Sequence, residues 1–470
     1  VDTTGLIWLG LSVGCAKCHS HKYDPLAQTE YYQLFAFFNQ TADADRPDDA
    51  PTRALPSPLY YQQHADLVAQ ISAARSKLAD PAADRTAISR KIAELEQQLE
   101  KQALAGKPPR VPVMQELPRN KQRSTHLLIK GDFLNPGPKV EPGVPQSLHP
   151  MPKGAPLNRL GLARWLMDRD NPLTARVTVN RIWSRMFGVG IVETEEDFGT
   201  QGEPPSHPQL LDWLAVEFRD THRWSQKQLC KTIVMSATYR QSSRVQRELL
   251  ARDPRNRLLA RGPRFRLEAE MIRDQALAVS GLLCRKLYGP PVMPPQPAGV
   301  WKSVYSNEHW VTSQGEDRYR RGLYTFAKRT AGYPSFLLLD AGSGEVCLPR
   351  RIRTNTTTAA LATLNDPVYT EAAQALARRV VRANKGDASQ RAAFAWQLVT
   401  GHPPAKAETA RVVQLFEAQR EHYREHQEAA VKMATVPLGV LPREMDAVEL
   451  AAWTVVANVL LNLDETLTKG

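Results

Sequence analysis

Asn171-Pro-Leu-Thr-Ala-Arg-Val-Thr-Val-Asn-Arg-Ile-Trp-Ser-Arg-Met-Phe-Gly188 carries both the start and the stop of a helix. The Asn171 side chain can accept from unpaired amides, and Pro172 suits a first turn, where its missing N–H costs nothing. Ile182, Trp183, Met186 and Phe187 supply one apolar face, and Gly188 can take the left-handed conformation that ends the helix. The same grammar repeats outward from Asn158. Ser225 and Gln228 have capping-box spacing before Leu229 and Ile233. Glu268 to Leu283 reads as a helix running to the turn Gly289-Pro290-Pro291. Asp366-Pro367 starts another, with Gly386 beyond its end. A long polar helix is expected from Glu408 to Lys432 and an apolar one from Glu449 to Leu463. Strand-like runs are few, Gly322–Phe326 and Phe336–Leu339 being the best. The fold class is therefore mainly α with a minor β component, in a multidomain helical protein.

Toward the N-terminus the pattern changes. In a first domain of residues 1–58, residues 1 to about 45 read as helix, loop, helix: Thr29 is a plausible N-cap, and Tyr32, Phe35 and Phe38 follow at helical spacing. Pro47, Pro51, Pro56 and Pro58 then break regular structure. Residues 59–106 carry two apolar stripes, Leu67/Ile71/Leu78 and Ile88/Ile92/Leu95/Leu99, interrupted at Asp80-Pro81. They predict a projecting antiparallel helical hairpin with a charged outer face at Glu94, Glu96, Glu100 and Lys101. Residues 107–156 are dense in proline and hold one strand-like run, His126–Lys130, so an extended strap is expected. Residues 157–470 form the main helical domain.

The chain has 470 residues, 42% hydrophobic and 23% charged, enough for two or more domains with buried cores. No run of about eighteen uncharged apolar residues occurs, so no membrane span is expected. The first residue is Val1, and an export signal would lie upstream. The net charge of +12 is spread along the chain with acids between the bases. That describes a solvated surface more than a nucleic-acid interface, although acidic polysaccharide or an acidic redox protein would also suit it.

Cys15-Ala-Lys-Cys-His19 is the strongest chemical signal. Two thiols three positions apart, followed at once by an imidazole, form the attachment pattern of a c-type haem. Each sulfur can add to one vinyl group, with His19 beneath the iron as proximal ligand. His21 is too close in sequence to His19 to reach the opposite axial face. Met114, Met151, His126 and His149 lie in the strap without a spacing that selects one as sixth ligand. The alternative is a structural zinc site built from Cys15, Cys18, His21 and Asp24, with His19 also near. The three other cysteines, Cys230, Cys284 and Cys347, do not suggest a disulfide framework. Because covalent haem is attached outside the bacterial cytoplasmic membrane, this motif points to a periplasmic or secreted protein.

Several stretches together resemble a known family. Val13-Gly-Cys-Ala-Lys-Cys-His-Ser-His-Lys-Tyr-Asp-Pro25, then Tyr31-Tyr32 and Phe35-Ala-Phe-Phe38, are similar to the end of a planctomycete-type secreted cytochrome-c-like (PSCyt-type) domain. Asn171–Trp183, Asp197–Pro208, Ser236–Ser242, Gly262–Leu267, Ala269–Asp274, Arg350-Arg351, Arg353–Thr356 and Leu364–Asp366 resemble the PSD-type domain of unknown function that follows it. The resemblance implies an exported protein and leaves its activity open.

The second concentration of interest runs from Arg318 to Arg353. Arg318, Arg320, Arg321, Lys328, Arg329, Arg350, Arg351 and Arg353 are interleaved with Tyr319, Tyr324, Phe326, Tyr333 and Phe336. Guanidinium planes beside aromatic faces suit carboxylate, sulfate or sugar, with Arg350, Arg351 and Arg353 as the candidate anion site. Thr354–Thr358 can open a helix beside it. The alternative is structural pairing with Glu316, Asp317, Asp340 and Glu345. The acidic run Glu193, Glu195, Glu196, Asp197 reads as a solvated loop, Gly188-Val189-Gly190 as a helix stop, and Ser206-His207 as a helix start before Pro208. No catalytic constellation emerges. The expected function is extracytoplasmic electron transfer by haem c to an unidentified redox partner. The alternative is a non-redox module binding an acidic or sulfated polysaccharide.

Overall fold

The computed structural model of the protein describes residues 1–42, 50–55, 58–78, 84–105, 110–301, 309–384 and 386–470. Pro47, Pro56, the Asp80-Pro81 interruption and the start of the strap at Lys107 lie outside them. The fold is mainly α, with three two-stranded antiparallel sheets among the described residues. Two compact units emerge, one formed by Val1 and Val13–Asp168, the other by Asp2–Ser12 and Arg169–Gly470.

In the first unit the helix Gln28–Phe38 is the organising element, burying Tyr31, Tyr32, Leu34, Ala36 and Phe37. It begins one residue before Thr29, which is not its cap. Glu30 serves the first turn instead, accepting the Ala27 N–H at 2.8 Å and, from the strap, the Gln146 N–H at 2.7 Å. The helix packs on the hairpin of Thr125–Leu128 with Pro136–Val140. The strap thus holds more β structure than its prolines suggest, because Pro136 and Pro138 lie in an edge strand whose missing N–H groups cost no ladder bond. The expected strand His126–Lys130 shortens, since Lys130 (φ 56°) and Gly131 (φ 77°) turn the chain left-handed. Pro58–Lys77 and Arg85–Ala105 pack together as the expected helical hairpin, burying Ile71, Ile92 and Leu95. Thr52–Ala54 pairs with Arg110–Pro112 across their two ends.

Among the apolar clusters of the second unit, two stand out. In one, Val179, Trp183 and Phe187 of the helix Thr174–Phe187 meet Leu211, Leu214, Leu229 and Ile233. The helix starts later than expected, with Leu173 rather than Asn171 at its N-cap; Asn171 Oδ1 accepts from the Leu173 and Thr174 N–H groups at 2.9 and 3.1 Å and so fixes the approach to the helix, with Pro172 outside it. Gly188 ends it at φ 84°. The larger cluster surrounds Ala447–Leu461, where Leu450, Ala452, Trp453, Val456, Ala457 and Leu460 are nearly inaccessible. A helix apolar on all sides belongs in a core. Pro367–Ala383 approaches it through Ala372, Ala373 and Ala377, small side chains that let backbones come close.

Ser225 and Asp366 cap their helices through side-chain oxygens. Both strands expected in this unit are helical instead. Gly322–Tyr324 is a 3-10 turn, and Pro334–Leu338 is a short helix begun by Pro334. Four apolar residues in a row do not separate a strand from a buried helical turn. The expected helix from Glu408 to Lys432 breaks into Lys406–Glu425 and Gln427–Thr435 at His426, whose Nδ1 bonds the His422 carbonyl at 2.8 Å. No helix among the described residues is long and apolar enough to cross a membrane.

Candidate functional site

Cys15 lies in the 3-10 turn Val13–Lys17, anchored by the buried Val13 and Ala16, and Cys18 and His19 follow it directly in the continuing turn. Cys15, Cys18 and His19 are all exposed, so the three groups expected to act together are presented by one turn. The turn is fixed from beneath. The Lys17 carbonyl accepts from the Tyr32 hydroxyl at 2.9 Å and from Gln28 Nε2 at 3.1 Å. The same Gln28 amide also reaches the Leu128 carbonyl at 3.1 Å, tying turn, helix and hairpin together. Burial, with the Cys18 thiol second, pushes the Tyr32 hydroxyl up from its ordinary pKa, so it remains a donor.

His19 Nδ1 lies 2.7 Å from the Ser20 carbonyl. A carbonyl only accepts, so Nδ1 carries the proton and Nε2 keeps its lone pair for a metal. Gly131 comes close to this turn: a Cβ there would lie 2.8 Å from Cys18 Sγ. Covalent haem attachment would find both thiols accessible and the His19 Nε2 lone pair available.

The zinc alternative fits less well. His21 Nδ1 accepts the Asp24 N–H at 2.8 Å, and its closest approach to the Asp24 carboxylate is 3.6 Å. Among the described residues, no three His, Cys, Asp or Glu side chains converge on a metal position. In the strap, His149 stacks on Trp165 at 4.8 Å and bonds its carbonyl, while His126 Nδ1 bonds the Gly137 carbonyl at 2.9 Å. Met151 packs toward Gly161, and Met114 is exposed.

In the second unit the Arg318–Arg353 concentration divides by role. Arg318 and Tyr319 both donate to the buried Glu371, at 3.1 and 2.8 Å, and the Tyr319 hydroxyl is pushed up to about 12 by burial and by that carboxylate. Arg320, 1% exposed, donates to the Pro290 carbonyl and stacks on Tyr324. Arg321 pairs with Asp274. These are structural arginines, but their partners are mostly not the acids expected from sequence. Of that set, Asp340 pairs with Arg266.

Arg350, Arg351 and Arg353 are brought together at a cavity of about 450 Å³. Arg350 meets Glu196 at 3.0 Å, and Arg351 grips Glu270 through two bonds of 2.7 and 3.0 Å. Burial raises the Glu270 carboxyl, but the Arg351 bonds more than offset this and hold it below its ordinary pKa. Arg353 donates to the Gly188 carbonyl at 2.9 Å and lies over the Phe265 ring at 4.6 Å. Thr356 caps the adjacent helix Thr357–Asn365, as the threonine run predicts. The acidic run is not a solvated loop. Glu193 and Glu195 line this same cavity, Glu195 is 3% exposed, and Ser184 donates to it. Burial raises the Glu195 carboxyl above its ordinary pKa despite that bond and the nearby Arg181, Arg185 and Arg350.

Arg185 and Arg255 also line the cavity, paired with Glu268 and Glu193. Sequence reasoning missed both, since they stand far from Arg350 and share no motif with it. His207 Nδ1 lies 3.0 Å from Ser206 Oγ, but the Ser206 hydroxyl donates its proton to the Ile191 carbonyl at 3.2 Å, so in this arrangement the imidazole does not accept that proton as a base would.

A mainly α protein with an exposed CxxCH turn in one unit and an arginine-lined cavity in the other is thus defined. The chain belongs to the PSD1 family, "Protein of unknown function (DUF1553)", whose model matches residues 158–416. The model of PSCyt2, "Protein of unknown function (DUF1549)", matches residues 1–43 and so contains the CxxCH turn. These are planctomycete-type domains, and neither description names a cofactor or activity. No curated protein matches. No solved structure matches.

Proposed function

We propose that the protein is an exported c-type haem protein that transfers single electrons in support of an oxidative or degradative process outside the cytoplasm. The supporting observation is that Cys15, Cys18 and His19 are exposed on one turn, with His19 Nδ1 committed to a backbone carbonyl. Each S–H would add across one vinyl double bond, so no atom is lost, and His19 Nε2 would ligate the iron. The haem supplies the one-electron couple. The Tyr32 and Gln28 bonds to Lys17 hold the turn in place beneath it. The test is expression of the chain with an export signal in a host that attaches haem c. One haem per chain is expected by mass and by a pyridine haemochrome spectrum. Unmodified thiols would overturn the assignment, and unmodified thiols with stoichiometric zinc would establish the metal alternative.

A second reading is favoured by the convergence of Arg350, Arg351 and Arg353 on one cavity. Here the protein is a non-redox binding module for an acidic or sulfated polysaccharide. Joint replacement of Arg350 and Arg351 by Ala should weaken such binding at least about tenfold, measured by calorimetry. Unchanged binding would remove this reading.

A further inference from the structure

The arginine cavity has a neighbour of about 520 Å³, and Glu268 and Arg351 line both. Their linings differ. Around the first stand Arg185, Arg255, Arg350, Arg351 and Arg353 against Glu193, Glu195 and Glu268, with Val189 and Ile352 as the aliphatic side chains. The second presents Met271, Leu323, Phe326, Tyr333, Phe336 and Leu337, rimmed by charged groups of both signs.

Arg353 separates the first cavity from an ordinary cluster of ion pairs. Among the described residues, no carboxylate lies within ion-pair distance of it, whereas Arg185, Arg255 and Arg350 each have one and Arg351 has two. Its Nε is buried without a partner, and its placement beside Phe265 leaves much of the guanidinium desolvated. Burial accordingly lowers its pKa. Glu268 and Glu195 act on it only from beyond ion-pair distance, so a partly desolvated cation facing a cavity gains from an anion placed directly against it, and a guanidinium offers planar donors for one.

We propose that the two cavities form one groove for an acidic saccharide: a sulfate or carboxylate sits against Arg353, and the adjoining sugar unit lies in the apolar cavity. That unit would rest its C–H face on Met271 and Leu323, both exposed, and bond its hydroxyls to the rim. Hydroxyls both donate and accept, so a rim of mixed sign suits them better than a run of like charges. The proposal deepens the binding-module reading and rests on it, independently of haem.

The test is calorimetric titration of the whole chain with inorganic sulfate, acetate, a sulfated disaccharide, a uronate-containing disaccharide and a short polyglutamate peptide. At least one disaccharide should bind about tenfold or more tighter than its free anion, and the two anion arms decide between sulfate and carboxylate. Arg353→Ala should remove both anion and disaccharide binding. Met271→Gln with Leu323→Ser, both at exposed positions, should remove only the disaccharide's added affinity. Disaccharides no tighter than their anions, with Arg353-dependent anion binding intact, would overturn the groove and leave the parent reading standing. Binding indifferent to Arg353 would overturn the groove alone, and no binding in any arm would overturn both. Polyglutamate binding as tightly as the better disaccharide would overturn the saccharide assignment.

Discussion

The CAKCH turn and the arginine cavity are built in opposite ways. The turn gathers its chemistry from five consecutive residues, and its functional atoms face solvent with few side-chain partners. The cavity draws on residues from Ser184 to Arg353, nearly every one tied to another charge or carbonyl. A local motif can be read without the fold and removed without harming it. An assembled site is invisible without the fold and is part of what holds the fold in shape.

The contrast can be broken by mutation. Replacing Cys15 and Cys18 by Ser should abolish covalent haem entirely, while the unfolding free energy stays within about 0.5 kcal/mol of the haem-free parent because both side chains are exposed. A cooperative loss of structure in the haem-free variant would show that the turn is not separable. Asn180→Ala should do the reverse. Asn180 is fully buried, and its side chain bonds both the N–H and the C=O of Val192, at 2.8 and 2.9 Å, fixing the loop that leads to Glu193 and Glu195. Leaving those groups unpaired should cost about 3 kcal/mol in denaturant unfolding and leave haem attachment untouched.

Gly131→Ala probes the turn more gently. The position is left-handed, so the added Cβ costs about 1 kcal/mol, and the Cys18 thiol must swing away from it. A lowered haem yield beside a nearly unchanged melting temperature is expected in haem-stained material. Glu195→Gln tests the cavity by pH. The folded carboxyl has a raised pKa, so its favourable contribution is full below the unfolded value of about 4.3 and is lost as pH rises through the folded value. The parent should therefore lose stability relative to the Gln variant on going from pH 4 upward, and parallel profiles would refute the buried acid. Arg350→Ala should be the mildest change in stability, below about 1 kcal/mol, because its pair with Glu196 is nearly half exposed. Its effect should appear in anion titration.

What was legible in the sequence was local. Ser225 and Asp366 cap helices because a short polar side chain reaches amides two or three residues on, and Gly188 ends one because it can turn left-handed. The Cys15, Cys18 and His19 grouping needs no tertiary contact either. What was misread depends on contacts across many residues. Phe336–Leu339 looks like a strand until Pro334 is seen to begin a helical turn. Glu195 looks solvated until Ser184, on a separate helix, is found to close over it. Arg273, almost wholly buried, supports the Arg318 and Arg320 carbonyls from a helix some 45 residues earlier, and nothing nearby in the sequence announces that.

Gly188 sits where these two kinds of information meet. Its left-handed backbone terminates the helix Thr174–Phe187, its missing Cβ leaves room for Phe265, and its carbonyl receives Arg353. One residue thereby sets the length of a core element and the aim of a guanidinium. A drift in sequence at this point would not trade recognition against solidity by degrees; it would disturb both at once. The arginine cannot be retuned by nearby change alone, and the pocket inherits the stiffness of the helix whose end forms its wall.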